Sequence, residues 1–145
     1  MQESLWRRVL FLGDPSAKSR VPRVLVITAS ARDRAFYKSL RERGEWDIVI
    51  TESVQEALAQ VVSQDFPIIL CDRDLPGWGW REVVTKIVER TPRSCFLLAS
   101  RVSDEYLWRE VVALGGYDIV AKPLSDSVVI HTLQRAWYFW NTETR

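Results

Sequence analysis

Four runs of four to six residues, at 24–27, 68–71, 95–99 and 117–122, are close to continuously apolar and are stopped by polar, Pro or Gly residues. Such runs are too short for helices. Apolar residues at nearly every position, rather than every second one, mark strands covered on both faces. Between them lie segments with helical spacing. Residues 31–43 carry Phe36, Tyr37 and Leu40 on one side and end at Gly44, a C-terminal stop signal. A shorter strand is expected at 47–50. Ser53-Val54-Gln55-Glu56 is a capping box, in which hydroxyl and carboxylate satisfy orphan N–H groups reciprocally. The helix it opens carries Val54, Ala57, Leu58, Val61 and Val62 as far as Gln64. Pro67 opens the third strand, where its missing N–H is tolerated. Further helices are expected over 80–90, closed by Thr91-Pro92; over 104–114, capped by Ser103-Asp104 and closed by Gly115-Gly116; and from Ser125 or Asp126 to Trp140. Five strands thus alternate with five helices. The pattern is α/β, a doubly wound five-stranded parallel sheet with helices on both faces.

At 145 residues the chain suits one domain with a substantial core. The reading divides it into an extension at 1–22, a domain at 23–140 and a tail at 141–145. In the extension, Leu5, Trp6, Val9 and Leu10 form an amphipathic turn or two able to dock on the body. The 20 Lys+Arg nearly cancel the 19 Asp+Glu, and a net charge of +1 leaves no electrostatic footprint for nucleic acid. No apolar run approaches the roughly 20 residues that span a bilayer. The apolar start is broken by Arg7 and Arg8, and no small-residue cleavage site follows. Cys71 and Cys95 fall in strand-like runs and read as reduced core thiols. A soluble cytoplasmic domain is expected, with neither nucleic acid nor membrane among its partners.

In an open α/β sheet, ligands and chemistry gather at the carboxyl ends of the strands. Here those ends hold Thr28-Ala29-Ser30, Thr51-Glu52, Asp72-Arg73-Asp74, Ala99-Ser100-Arg101 and Lys122-Pro123. Asp72 closes a buried strand and opens the loop Leu75-Pro76-Gly77-Trp78-Gly79-Trp80. A carboxylate so placed is costly unless it is paired, binds a cation or reacts; capping the loop through backbone N–H groups is the plainer alternative. The register brings Lys122 to the same rim, for a salt bridge or a shared anion.

These residues carry a resemblance. Over 22–140 the chain resembles the receiver domain of two-component response regulators, through the Asp-x-x-Leu-Pro-Gly of 72–77 and the Gly-Gly-Tyr-Asp-Ile-Val-Ala-Lys-Pro of 115–123. The Cys-Asp-Arg-Asp-Leu-Pro of 71–76, the Ser-Arg-Val-Ser-Asp-Glu-x-Leu-Trp of 100–108 and the Ala-Trp-x-x-Trp of 136–140 resemble stand-alone bacterial regulators without an output domain. The resemblance implies a flavodoxin-like (β/α)5 fold with strand order 2-1-3-4-5. It implies that Asp72 accepts a phosphoryl group as an acyl phosphate, that Lys122 contacts that group, and that Mg²⁺ neutralises charge. It further implies a cis peptide before Pro123, and no enzyme activity beyond self-phosphorylation and dephosphorylation at Asp72. A histidine kinase or phosphotransfer protein is the implied donor. A downstream protein or a second copy is the implied partner at the face of the fourth helix, fifth strand and fifth helix.

Three features of the family pattern are missing, at four positions. The acidic pair that holds Mg²⁺ is replaced by Thr28 and Ala29. The hydroxyl ending the fourth strand is replaced by Ala99, with Ser100 next to it as a substitute. The switch aromatic is replaced by Ile119. Asp74 is the one nearby carboxylate that could join Asp72 in a weak Mg²⁺ site. The chain therefore reads as a degenerate, single-domain receiver in a phosphorelay; the alternative is a phosphorylation-independent pseudo-receiver that works as an interaction module. His131 lacks a Cys or His partner at ligand spacing. Trp78 and Trp80 either cover the Asp72 pocket, offer a partner surface or pack under the third helix. Four consecutive aromatics at 137–140 cannot all face one core. With Tyr106 and Trp108 they either form a partner face or lie beneath the apolar N-terminal stretch.

Overall fold

A computed structural model describes residues 21–143. The N-terminal docking segment expected around Leu5–Leu10 lies outside the described residues. The elements are β1 (Arg23–Ile27), α1 (Ala31–Glu42), β2 (Asp47–Thr51), α2 (Val54–Ser63), β3 (Ile68–Asp72), α3 (Trp80–Arg90), β4 (Cys95–Ser100), α4 (Glu105–Ala113), β5 (Asp118–Ala121) and α5 (Asp126–Glu143). All strand pairs are parallel, in the order β2-β1-β3-β4-β5. The expected order and fold class are the ones observed.

Element ends moved by only a few residues. β5 is shorter than 117–122, although Tyr117 N still donates to Phe96 O at 2.7 Å and Lys122 N to Ser100 O at 2.9 Å. α5 runs past Trp140 to Glu143, where a separate tail was expected from 141. No Gly or Pro interrupts it there, and the Thr142 hydroxyl donates back to Tyr138 O at 3.0 Å.

The strand pleat sorts the core into two layers. On one face Val24, Val26, Ile68, Leu70, Leu97 and Val120 meet Tyr37 and Leu40 of α1 and Val129, Leu133 and Trp137 of α5. On the other, Leu25, Ile27, Ile69, Cys71, Phe96 and Leu98 meet α2, α3 and α4 through Val54, Val84, Ile87, Leu107 and Val111. Both thiols are buried and free. Burial pushes Cys95 up to about 11 and Cys71 well above the ordinary thiol value, the Asp72 charge adding to the latter.

Helical periodicity likewise divides the aromatic run at the end of α5. Trp137 is buried and Trp140 stacks on it, with ring centroids 5.4 Å apart. Tyr138 and Phe139 are exposed, as are Tyr106 and Trp108 on α4. Among the described residues no helix is long and apolar enough to cross a membrane.

Candidate functional site

The sheet order reverses between β1 and β3, so a crevice opens above their carboxyl ends. An open cleft of about 650 Å³ lies there, lined by residues that include Asp33, Asp72, Asp74, Arg32, Arg101 and Lys122. Asp72 pairs in register with Ala99, and Ala99 with Val120. Lys122 is two residues beyond Val120 and so projects to the same face. The small Ala99 side chain between the two strands leaves the lysine stem room to cross toward Asp72.

Lys122 Nζ lies 3.1 Å from Asp72 Oδ1 and 3.1 Å from Oδ2. Asp72 accepts two further, longer bonds: Thr28 Oγ1 donates to Oδ2 and Asp74 N to Oδ1, both at 3.4 Å. A carboxylate offers about four lone-pair positions. Every one of them faces a donor from this chain. Asp72 is buried, which makes that saturation necessary.

The second carboxylate of the site was not foreseen. Asp33 Oδ2 sits 2.6 Å from Lys122 Nζ, and its side chain is only 9% exposed. Ser30 caps α1 by accepting from Asp33 N at 3.2 Å. In a full capping box the acidic residue would bond back to the cap N–H. Here Ser30 N donates to Thr28 Oγ1 instead, at 3.1 Å, which releases the Asp33 carboxylate to Lys122. A signal for this was present in the sequence. Asp33, Tyr37 and Leu40 follow helical spacing on the inward stripe of α1, and a charge on such a stripe is rare unless paired.

Burial works against the Lys122 ammonium. Hydrogen bonds and attraction from Asp33 and Asp72 outweigh it, and the pKa ends above the ordinary lysine value. Tyr37, buried beneath the pair, is raised by its own burial and then by the charges of Asp33 and Asp72.

Ser100 is not brought to Asp72, which corrects its expected role as a substitute hydroxyl. It is one residue out of phase with Ala99 and points to the opposite face. There its Oγ accepts from Val102 N at 3.1 Å and from Arg73 Nη1 at 3.4 Å. Ile119 packs with that same layer, against α4. Trp78 and Trp80 pack in it too, and neither lines the cleft. The guanidinium carbons of Arg73 and Arg81 lie 5.6 and 4.6 Å from the Trp80 ring centroid. Gly77 turns the loop between Asp72 and α3 with φ +79°, a conformation costly to residues with a Cβ. The Lys122-Pro123 peptide is cis. His131 is exposed on α5, in a shallow groove with Tyr117, Arg135, Tyr138 and Phe139.

The donor set does not fit Mg²⁺. Mg²⁺ wants near-octahedral oxygen ligands at about 2.1 Å. Asp72 has Lys122 on both oxygens, Asp33 holds the same ammonium, and Thr28 and Ala29 offer no carboxylate. Asp74 lines the cleft but is exposed. Among the described residues no group of three or more His, Cys, Asp or Glu is arranged to hold a metal ion.

No family model matches the chain. It is 30% identical over 115 residues to the hydrogenase transcriptional regulatory protein HoxA of Cupriavidus necator, covering 78% of this chain and 23% of that protein. This chain therefore spans less than a quarter of that relative's length. Among solved structures, a CheY-like receiver domain protein from Methanospirillum hungatei superposes with a TM-score of 0.76 at 16% identity, covering 84% of this chain and 98% of the other. The chemotaxis response regulator CheY4 of Vibrio cholerae superposes with a TM-score of 0.72 at 20% identity, covering 79% and 98%. The chain has the fold of the response regulator receiver domains.

Proposed function

We propose that this domain is a receiver in two-component signalling, with Asp72 accepting a phosphoryl group from a histidine kinase or a phosphotransfer protein. One observation carries the reading: a buried carboxylate at the sheet's switch point has both oxygens on one lysine and opens onto a cleft. In the transfer, a lone pair of an Asp72 oxygen forms the new O–P bond. The donor's P–N bond breaks, and its electron pair leaves with the imidazole nitrogen. The product is an acyl phosphate on Asp72. Lys122, 3.1 Å from both Asp72 oxygens, neutralises the phosphoryl oxygens in this reading, the electrostatic part of such chemistry.

The signal leaves through protein contacts. The exposed Tyr106 and Trp108 of α4 and Tyr138 and Phe139 of α5 support the α4-β5-α5 surface as the place where a downstream protein or a second copy docks. Intact-mass measurement after incubation with acetyl phosphate tests the acceptor role. The wild-type chain is expected to gain one phosphoryl group that Asp72→Asn does not. No gain with acetyl phosphate or with phosphorylated kinase would overturn it in favour of a phosphorylation-independent interaction module.

A further inference from the structure

The misfit between the site and Mg²⁺ has a constructive side. We infer that Lys122, clamped between Asp33 and Asp72, is the resident cation of this cleft, and that the site holds its charge balance without a divalent metal. This deepens the acceptor reading and rests on it for the identity of the anion.

The geometry supports the inference from both sides. The ammonium lies 2.6 Å from Asp33 Oδ2 and 3.1 Å from each Asp72 oxygen. A cation approaching Asp72 must displace an ammonium that Asp33 also holds in place. Lys122 is tethered to β5, so its local concentration is far above that of any free ion. The Asp72 oxygens also accept from Thr28 Oγ1 and Asp74 N, both at 3.4 Å, so a metal must compete with donors already present on both oxygens. Arg32 and Arg101 line the same cleft. Positive charge for an arriving phosphoryl group thus comes from side chains. Asp33 is then a positioning residue: it holds the far side of the ammonium while Asp72 reacts.

Mn²⁺ added to ¹⁵N-labelled protein tests this, read as paramagnetic broadening of the amides at Thr28, Asp33, Asp72 and Asp74. The wild type is expected to give no saturable broadening there at millimolar Mn²⁺. Lys122→Met removes the ammonium and bares two adjacent carboxylates, and is expected to bind Mn²⁺ at least about tenfold more tightly than the wild type, from the loss of like-charge repulsion. Lys122→Arg keeps the charge and is expected to behave as the wild type. If Lys122→Met is too unstable for assignment, millimolar MgCl₂ should raise its melting temperature and leave that of the wild type unchanged.

Saturable, Mg²⁺-competed broadening at Asp72 in the wild type overturns the inference. So does a Lys122→Met protein that neither binds Mn²⁺ nor gains stability from MgCl₂. Phosphorylation is scored separately. Mass gain from acetyl phosphate that persists in EDTA supports the inference. Gain that appears only with Mg²⁺ overturns it and leaves Asp72 as acceptor. No gain under either condition or from phosphorylated kinase removes the acceptor reading, and the metal measurements still decide the identity of the cation.

Discussion

The two sides of the sheet end differently at the same rim. On the side covered by α1 and α5, the last residues are Thr28, Asp72 and Lys122, joined by Asp33. Four polar groups share one buried cluster, and each depends on the others for compensation. On the side covered by α2, α3 and α4, the last residues are Ser100 and Arg73, with Trp80 beneath. There the cation lies over an aromatic ring and donates one long hydrogen bond. Neighbouring residues of a strand, Ala99 and Ser100 for instance, belong to opposite worlds. A buried charge held by other buried charges is a site under constraint, whereas a half-exposed charge on a ring is packing.

Replacing the cation on each side puts that contrast to the sharpest test. Lys122→Met should destabilise the fold by about 3–5 kcal/mol in urea unfolding, the range for breaking a buried ion pair. Arg73→Met on the other side should cost no more than about 1 kcal/mol, the scale of an exposed cation–π contact. Equal losses would erase the distinction.

The Lys122 contribution also has a pH signature. Its folded pKa is raised, so the stability it adds is complete below the unfolded lysine value of about 10.4 and is lost as pH rises through the higher folded value. Unfolding midpoints of the wild type and Lys122→Met should therefore converge in strongly alkaline buffer. A constant gap across that range would remove the electrostatic explanation.

Asp33→Asn should come next, at about 1–3 kcal/mol, because it weakens one arm of the clamp and leaves the Asp72 arm in place. A loss matching that of Lys122→Met would mean that Asp33 alone holds the ammonium. Ser100→Ala should be the mildest, near about 1 kcal/mol for a hydroxyl that accepts from Val102 N. It should leave phosphorylation of Asp72 by acetyl phosphate unchanged in rate. A clear fall in that rate would place Ser100 functionally with Asp72, against its position on the other face.

Much of this architecture was legible from one dimension. Continuous apolar runs, capping residues at Ser53 and Asp104, and stops at Gly44 and Gly115 are local signals, and they located the ten described elements to within a few residues. Asp72 and Lys122 were legible for a related reason: each ends an apolar run, and a parallel sheet aligns such ends on one rim. What stayed hidden was the face. Whether Ser100 or Ala99 stands beside Asp72 depends on a strand pleat of period two, which a shift of one residue reverses. The partnership of Asp33 with Lys122 joins positions 89 residues apart in sequence, a helix start and a strand end. Local spacing could place Asp33 on the buried stripe of α1, but only the packing of α1 against the sheet decides which charge that stripe meets. Elements follow from local periodicity because hydrogen bonding and side-chain burial repeat along the chain. The charge balance of the cleft follows from long-range contacts, and those exist only once the layers have closed.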